Sequence, residues 1–260
     1  MGAKDIRVSP LTAASARDFV RRWHYSGKPY PKSRLHLGAF MGDRLIGVMQ
    51  FGDPLDRRKV LGLVSGTKWH DMIELNRMAM VDDTPKNAES RFISVAMRLI
   101  RKEYSNIEWV LSFSDACQCG DGTIYRAAGF VLTQIKKNAA VYRIGNYTFT
   151  DVGFRTSAAI RKRLENMSGV AMHRISDAAG AGARPIEGFQ LRYVYFLNRE
   201  ARSRLTVPEV PYSEISTAGA GMYLGHKRVK QAMAGVQPEQ RQGSTDPHAP
   251  ISEAVPTKAA

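Results

Sequence analysis

Apolar and polar residues along this chain fall into two recurring periods, and the switches between them mark out elements. Apolar positions at Phe19, Val20 and Trp23, behind a capping candidate at Thr12, predict a helix over 11–23 that ends near Gly27. Two short apolar runs, Leu35 to Phe40 and Leu45 to Phe51, flank Gly42-Asp43 and predict a hairpin. Strict alternation then places Ile73, Leu75, Ala79 and Val81 on one face of a strand. Arg77 shares that apolar face, so its charge must be paired, project into a cleft or emerge at the sheet surface. Glu74 faces the other way, as a candidate general base or, more plainly, the partner of a surface cation.

A polar loop, Asp82 to Ser90, precedes a helix over 91–104 that gathers Phe92, Val95, Ala96, Leu99 and Ile100 on one side. Glu108 to Ser114 reads as a nearly unbroken apolar strand, the pattern of one covered on both faces. It runs into Asp115. A glycine-bearing turn, a short helix carrying Tyr125, a stop at Gly129 and a strand over 130–136 follow. Helix, hairpin, strand, helix, strand, helix, strand is the order of an α/β layered domain, with a central sheet flanked by helices.

Past Val141 the pattern predicts a further hairpin over 141–150, a basic helix over 157–165, a Gly/Ala loop over 178–184 and a strand over 191–197. An edge strand there would invite pairing, so a homodimer through 191–197 is one expected assembly. From Thr206 Pro and Gly interrupt any period, and 237–260 reads as a disordered tail.

Composition sharpens this picture in three places. The chain has 260 residues, 43% of them hydrophobic, and a formal charge of +14, which points to a polyanionic partner. The charge is concentrated behind the α/β region, where 126–204 carries 14 Lys and Arg against 5 Asp and Glu. Lys136, Lys137, Arg161, Lys162 and Arg163 are therefore candidate phosphate contacts, with Arg199, Arg202 and Arg204 behind them. Trp23, Tyr30 and Trp69 are candidate platforms for a base. No apolar run approaches ~18 residues and no apolar signal core opens the chain, so a cytoplasmic protein without a membrane span is expected. The two cysteines, Cys117 and Cys119, are spaced for neither a zinc knuckle nor a comfortable disulfide.

The order of elements, closing on Tyr125 and Gly129-Phe130, resembles the GNAT acyltransferase fold. In that fold a loop opening the central helix binds the pyrophosphate of an acyl-coenzyme A. Here the loop is Thr84-Pro85-Lys86-Asn87-Ala88-Glu89-Ser90, without a glycine, and Lys86, Ser90 and Arg91 are the residues that could stand in. A narrower resemblance rests on five short motifs in order: Trp23-His24-Tyr25-Ser26-Gly27, Gly38-Ala39-Phe40, Glu74-Leu75-Asn76-Arg77-Met78, Phe113-Ser114-Asp115 and Tyr125-Arg126-Ala127-Ala128-Gly129-Phe130. These are similar to the phage Mom family, whose members convert adenine in phage DNA to N6-carbamoylmethyladenine and block host restriction.

The resemblance implies double-stranded DNA as substrate, iron as cofactor, and acetyl-coenzyme A or another acyl donor. It maps the family's iron-binding and catalytic group onto His24, Tyr25, Asp115 and Tyr125, and its acyl-coenzyme A positions onto Arg77 and Ser90. Together with the pattern along the chain, a resemblance that covers about 11–150 gives an expected division into a GNAT-like catalytic domain over 1–150, a basic extension over 151–205 that completes the sheet and faces DNA, and a Pro/Gly-rich, largely disordered tail over 206–260. The residues themselves leave roles open. Asp115 is a metal ligand or a base, Tyr125 a ligand or the proton donor to a leaving group. Two other classes compete: an ordinary acetyltransferase acting on a protein, tRNA or small amine, and a DNA-binding module without chemistry.

Overall fold

A computed structural model of the chain describes residues 2–223 and 226–227, so the tail expected over 237–260 lies outside the described residues. A short strand, β1 (Arg7–Pro10), precedes helix α1 (Ala13–Trp23), whose first turn is capped by the Thr12 hydroxyl accepting from the Ser15 N–H at 3.2 Å. The hairpin follows as β2 (Ser33–Met41) and β3 (Arg44–Gly52), with Gly42 at φ 60° in its turn. Helix α2 (Arg57–Leu61), β4 (Met72–Met80), α3 (Ala88–Glu103), β5 (Trp109–Ala116), α4 (Thr123–Ala127) and β6 (Val131–Lys137) complete the α/β region. Residues beyond it form β7 (Val141–Ile144), β8 (Tyr147–Thr150), α5 (Asp151–Thr156), α6 (Ala158–Ser168), α7 (Ile175–Gly180), β9 (Arg184–Pro185), β10 (Phe189–Phe196), α8 (Arg199–Ser203) and α9 (Ser213–Thr217).

Seven strands make one mixed sheet in the order β1-β2-β3-β4-β5-β10-β6, in which only β4 and β5 run parallel. The architecture is thus the expected mixed α/β sheet flanked by helices. Trp109, Tyr193, Phe51, Phe92 and Phe130 are the largest fully buried side chains of its core. A second sheet, β8-β7-β9, packs with α5, α6 and α7 around Phe149, Phe154, Ile160 and Leu164.

Two irregularities shape the central sheet. On β4 the register passes from Arg77 opposite Gln50 to Leu75 opposite Phe51, so Asn76 is an extra residue. Such a bulge bends the strand and re-aims the side chain beside it. Arg77 therefore leaves the apolar face it shares by simple alternation. Its Nε donates to the Lys28 carbonyl at 3.0 Å and its Nη1 to the Asn76 carbonyl at 2.6 Å. The second irregularity is a splay. The register between β4 and β5 runs from Met72–Trp109 to Leu75–Ser112 and stops, although both strands continue. The C-terminal half of β5, which carries Asp115, has its pairing on one side only, with β10.

Two expectations are corrected. The strand over 191–197 is not an edge: β10 lies between β5 and β6, paired antiparallel to both, so its backbone has no free side to offer a second copy. The Gly/Ala segment over 178–184 is not all loop. Asp177 accepts from the backbone N–H of His173 and Arg174 and caps α7, which carries the fully buried Ala178.

β10 is locked into the site by Tyr193, whose hydroxyl donates to the Asp121 carbonyl at 2.5 Å. Gly122, at φ 81°, lies so close to that ring that an added Cβ would meet it at 2.4 Å. Gly122→Ala is therefore expected to destabilise the fold by about 3 kcal/mol, from overpacking and the left-handed backbone together. Urea denaturation checks it; a loss below ~1 kcal/mol would mean this contact does not hold β10 against the turn.

Candidate functional site

The C-terminal ends of α1 and β5 meet at the Asp115 carboxylate. α1 stops at His24, which takes an extended conformation, and this carries Tyr25 toward the sheet. The Tyr25 ring is 54% exposed, but its hydroxyl turns inward and donates to Asp115 Oδ2 at 3.2 Å. Gln118 Nε2 donates to the same oxygen at 2.9 Å. Asp115 Oδ1 accepts from the Cys117 N–H and from Gln190 Nε2, both at 3.0 Å. Its main-chain carbonyl accepts from the N–H groups of Gln118, Cys119 and Gly120, which closes the turn into α4. Side chains from the end of α1, the turn after β5 and β10 thus converge on one carboxylate.

Arg77 is the electrostatic centre of the neighbouring surface. Its charge acts on His24, Tyr25, Tyr30 and Glu74. Burial and then Arg77 lower His24 to about 4, so its imidazole is neutral at pH 7. Burial, and then the Asp115 charge, push the Tyr25 phenol well above its ordinary value. Tyr125, buried on α4 beside Phe130 and Tyr193, is raised to about 12 by burial, with Ser112 acting in the opposite direction. Its field includes Glu74, Glu89 and Cys119. Burial raises Glu74 to about 7, although its interactions with Asn76 and Arg77 oppose the shift. Glu74 is the titratable group of this region poised near neutrality, and the sequence pattern alone favoured a surface ion pair for it.

The donors do not fit an iron site as arranged. Asp115 already accepts four hydrogen bonds, about as many as a carboxylate has lone-pair positions for. The Ser26 N–H points at His24 Nδ1 at 3.1 Å, so that nitrogen accepts and the ring proton sits on Nε2, the atom that would have to ligate. Among the described residues no group of three or more His, Cys, Asp or Glu converges. Beside the carboxylate, burial and Asp115 raise Cys117 to about 12 and also raise Cys119.

The opening of α3 carries the positive end of its helix dipole. Asn87 is the one described non-glycine residue at positive φ, 66°, and it stands at the N-cap of α3. Asparagine tolerates this conformation better than other L residues, which explains a tight loop without glycine. No side chain caps the helix, Lys86 is exposed, and Ser90 Oγ bonds only to the Asn87 carbonyl at 3.2 Å. Arg91 Nε is buried without a partner.

Comparison with known proteins decides the family. The model of the Mom protein family matches residues 5–214. The methylcarbamoylase mom of Escherichia phage Mu is 35% identical over 206 residues, which is 78% of this chain and 80% of that protein. The chain belongs to the Mom family. Solved structures are similar only in overall course. The ribosomal-protein-S18-alanine N-acetyltransferase from Escherichia coli is 9% identical, with a TM-score of 0.41 over 74% of this chain and 94% of that one. The spermidine/spermine N-acetyltransferase SpeG from Vibrio cholerae is 8% identical, with a TM-score of 0.43 over 77% of this chain and 98% of that one. Nothing about substrate or donor is drawn from likeness at that level.

In this Mom-family chain the basic candidates divide. Lys136 and Lys137 are exposed at the end of β6. Arg161 instead donates to the Phe154 and Arg155 carbonyls, Arg163 lies 4.1 Å over the Tyr147 ring, and Lys162 stands 4.0 Å from Glu165. Arg202 pairs with Glu209 and Arg204 with Glu108. Several basic residues that look free in the sequence therefore have intramolecular work. Of the aromatic candidates, Trp69 lies over Arg57 and Tyr30 under Arg77. Trp23 is exposed and lies tilted against Phe19, ring centroids 6.3 Å apart. Phe113, 41% exposed beside the site, has no signal in the apolar run that contains it.

The raised Glu74 fixes a sign for stability. A carboxyl whose folded value lies above its unfolded ~4.3 stabilises fully below ~4.3 and loses that contribution as pH rises toward about 7. Glu74→Gln removes the titration, so relative to the native chain it should gain stability at pH 8 and gain little at pH 4. Melting temperatures across that range test it; a difference that does not change with pH would refute the buried carboxyl.

Proposed function

We propose that this chain converts adenine in DNA to N6-carbamoylmethyladenine and so shields phage DNA from host restriction in the bacterial cytoplasm. The observation that carries this reading is the 35% identity, over most of both chains, with a protein named as a methylcarbamoylase. The site is consistent with it. The reaction joins adenine N6 to a methylene carbon, breaks one bond at that carbon and releases one N6 proton; from an acetyl thioester it also requires an amine nitrogen that displaces the thiol and a two-electron oxidant that takes the methyl C–H. N6 is a poor nucleophile because its lone pair is delocalised into the ring, so that proton needs an acceptor. Glu74, at about 7, is matched to the task at neutral pH. Tyr125, protonated and buried, is suited to giving a proton to the departing group.

The uncapped start of α3, with Lys86, Ser90 and Arg91, suits the phosphates of an acyl-coenzyme A donor. Asp115 holds Tyr25, Gln118 and Gln190 in place at the edge where β5 parts from β4. No step is routed through a metal, because Tyr25 is engaged with Asp115 and His24 with Ser26. A target adenine must leave the helix to reach such a site, and its N6 then loses its pairing partner.

The test is expression of the full chain in bacteria carrying a plasmid, followed by digestion of that plasmid and mass spectrometry of its nucleosides. A deoxyadenosine heavier by a carbamoylmethyl group is expected with the native chain. Asp115→Asn, which keeps the shape but cannot accept from all four donors, should reduce it to background. Unmodified nucleosides from abundant, folded native chain would contradict the reading and shift weight to an ordinary acetyltransferase. Full modification by Asp115→Asn would remove Asp115 from the site.

A further inference from the structure

One face of the central sheet is half covered and half open. Across β5, β10 and β6 the register aligns Leu111 with Val194 and Val131, and this row is covered by α2, α8 and their flanking segments through Val60, Leu63, Val64 and Ala201. The next two rows on the same face are Phe113–Arg192–Gln134 and Asp115–Gln190–Lys136. Cross-strand partners share a face, as do residues two apart. Here the large ring of Phe113 is 41% exposed, and Gln134 and Lys136 are exposed too.

The chemistry of these rows is uneven in an informative way. Arg192 is steered by Thr133 on the adjacent strand β6, with Nε donating to Thr133 Oγ1 at 3.0 Å and Nη2 to the Thr133 carbonyl at 3.3 Å. No carboxylate pairs with Arg192 or Lys136 among the described residues, and Lys137 lies one residue further along β6. A carboxylate can only accept, so the amide nitrogens of Gln118 and Gln190 must face Asp115, and their Oε1 atoms are turned away from it. The surface thus offers a flat ring, two oriented amide oxygens and unpaired cations.

We propose that this open half-face seats the target nucleotide. This rests on the adenine-modifying reading and deepens it. The base stacks on Phe113, about 7 Å along the strand from Asp115, and the Oε1 atoms of Gln118 and Gln190 accept from its amino group. Arg192 and Lys136 hold the flanking phosphates, Lys136 standing about 10 Å across two strands from Asp115. An amide oxygen accepts from the amino group of adenine but meets another acceptor on thymine, so the pair discriminates between the two.

The experiment is fluorescence anisotropy of the full chain with a labelled duplex carrying one unpaired adenine, against the same duplex with an unpaired thymine there. The native chain should prefer the adenine. Phe113→Ala should weaken both by about tenfold, and Phe113→Trp, which keeps a flat ring, should restore them. Gln118→Leu/Gln190→Leu, with folding checked by circular dichroism, should bind both duplexes alike. Arg192→Gln/Lys136→Gln should lower the salt slope by about two. Native-like binding by Phe113→Ala overturns the assignment. If it does so while native chain modifies plasmid adenine, only this face is wrong. If the native chain binds neither duplex, the adenine reading falls with it.

Discussion

Everything at the site depends on one carboxylate that is never left without donors. Asp115 ends the useful length of β5, and its oxygens accept from Tyr25, Cys117, Gln118 and Gln190. A half-buried carboxylate is costly unless such donors surround it, and these come from parts of the chain that are far apart in sequence. Tyr25 lies 90 residues before it and Gln190 75 residues after it. Satisfying Asp115 therefore requires α1, the turn before α4 and β10 to be in place together. Stability and site geometry are the same requirement here.

That requirement explains the position of β10. Inserted between β5 and β6, it gives the splayed end of β5 a partner on one side, while the β4 side stays open. Tyr193 fills the space below Gly122, and Gln190 reaches Asp115 from the same strand. The bulge at Asn76 plays the matching part on β4, where it turns Arg77 out of the apolar face and toward Lys28, Tyr30 and Glu74. These two local departures from regular pairing leave a cation, Arg77, and a saturated carboxylate, Asp115, whose charges both act on Tyr25.

Much of this was legible in the chain's patterning. The hairpin around Gly42, the alternation over 73–81, the apolar run into Asp115 and the Thr12 cap each rest on local rules that the fold respects. What escaped was non-local. An apolar run such as Leu191 to Leu197 reads alike at an edge or in the middle of a sheet, and only its two partners decide which. Asn87 does the work of a glycine, a substitution visible only through its φ. Basic residues such as Arg161 and Arg204 look like a solvated face until their carbonyl and carboxylate partners are known. The Glu74 shift comes from burial by segments distant in sequence, and no spacing rule encodes it.

The central claim is that a DNA base meets the protein at the Asp115 end of β5. Photocrosslinking tests it most directly, using a duplex with a single 8-azidoadenine in an unpaired position and mapping the attached peptide by mass spectrometry. Attachment is expected within β5 and the turn that follows it, at 109–122, or on β10. Attachment confined to the helices of the small basic sheet, with none on β5 or β10, would contradict it.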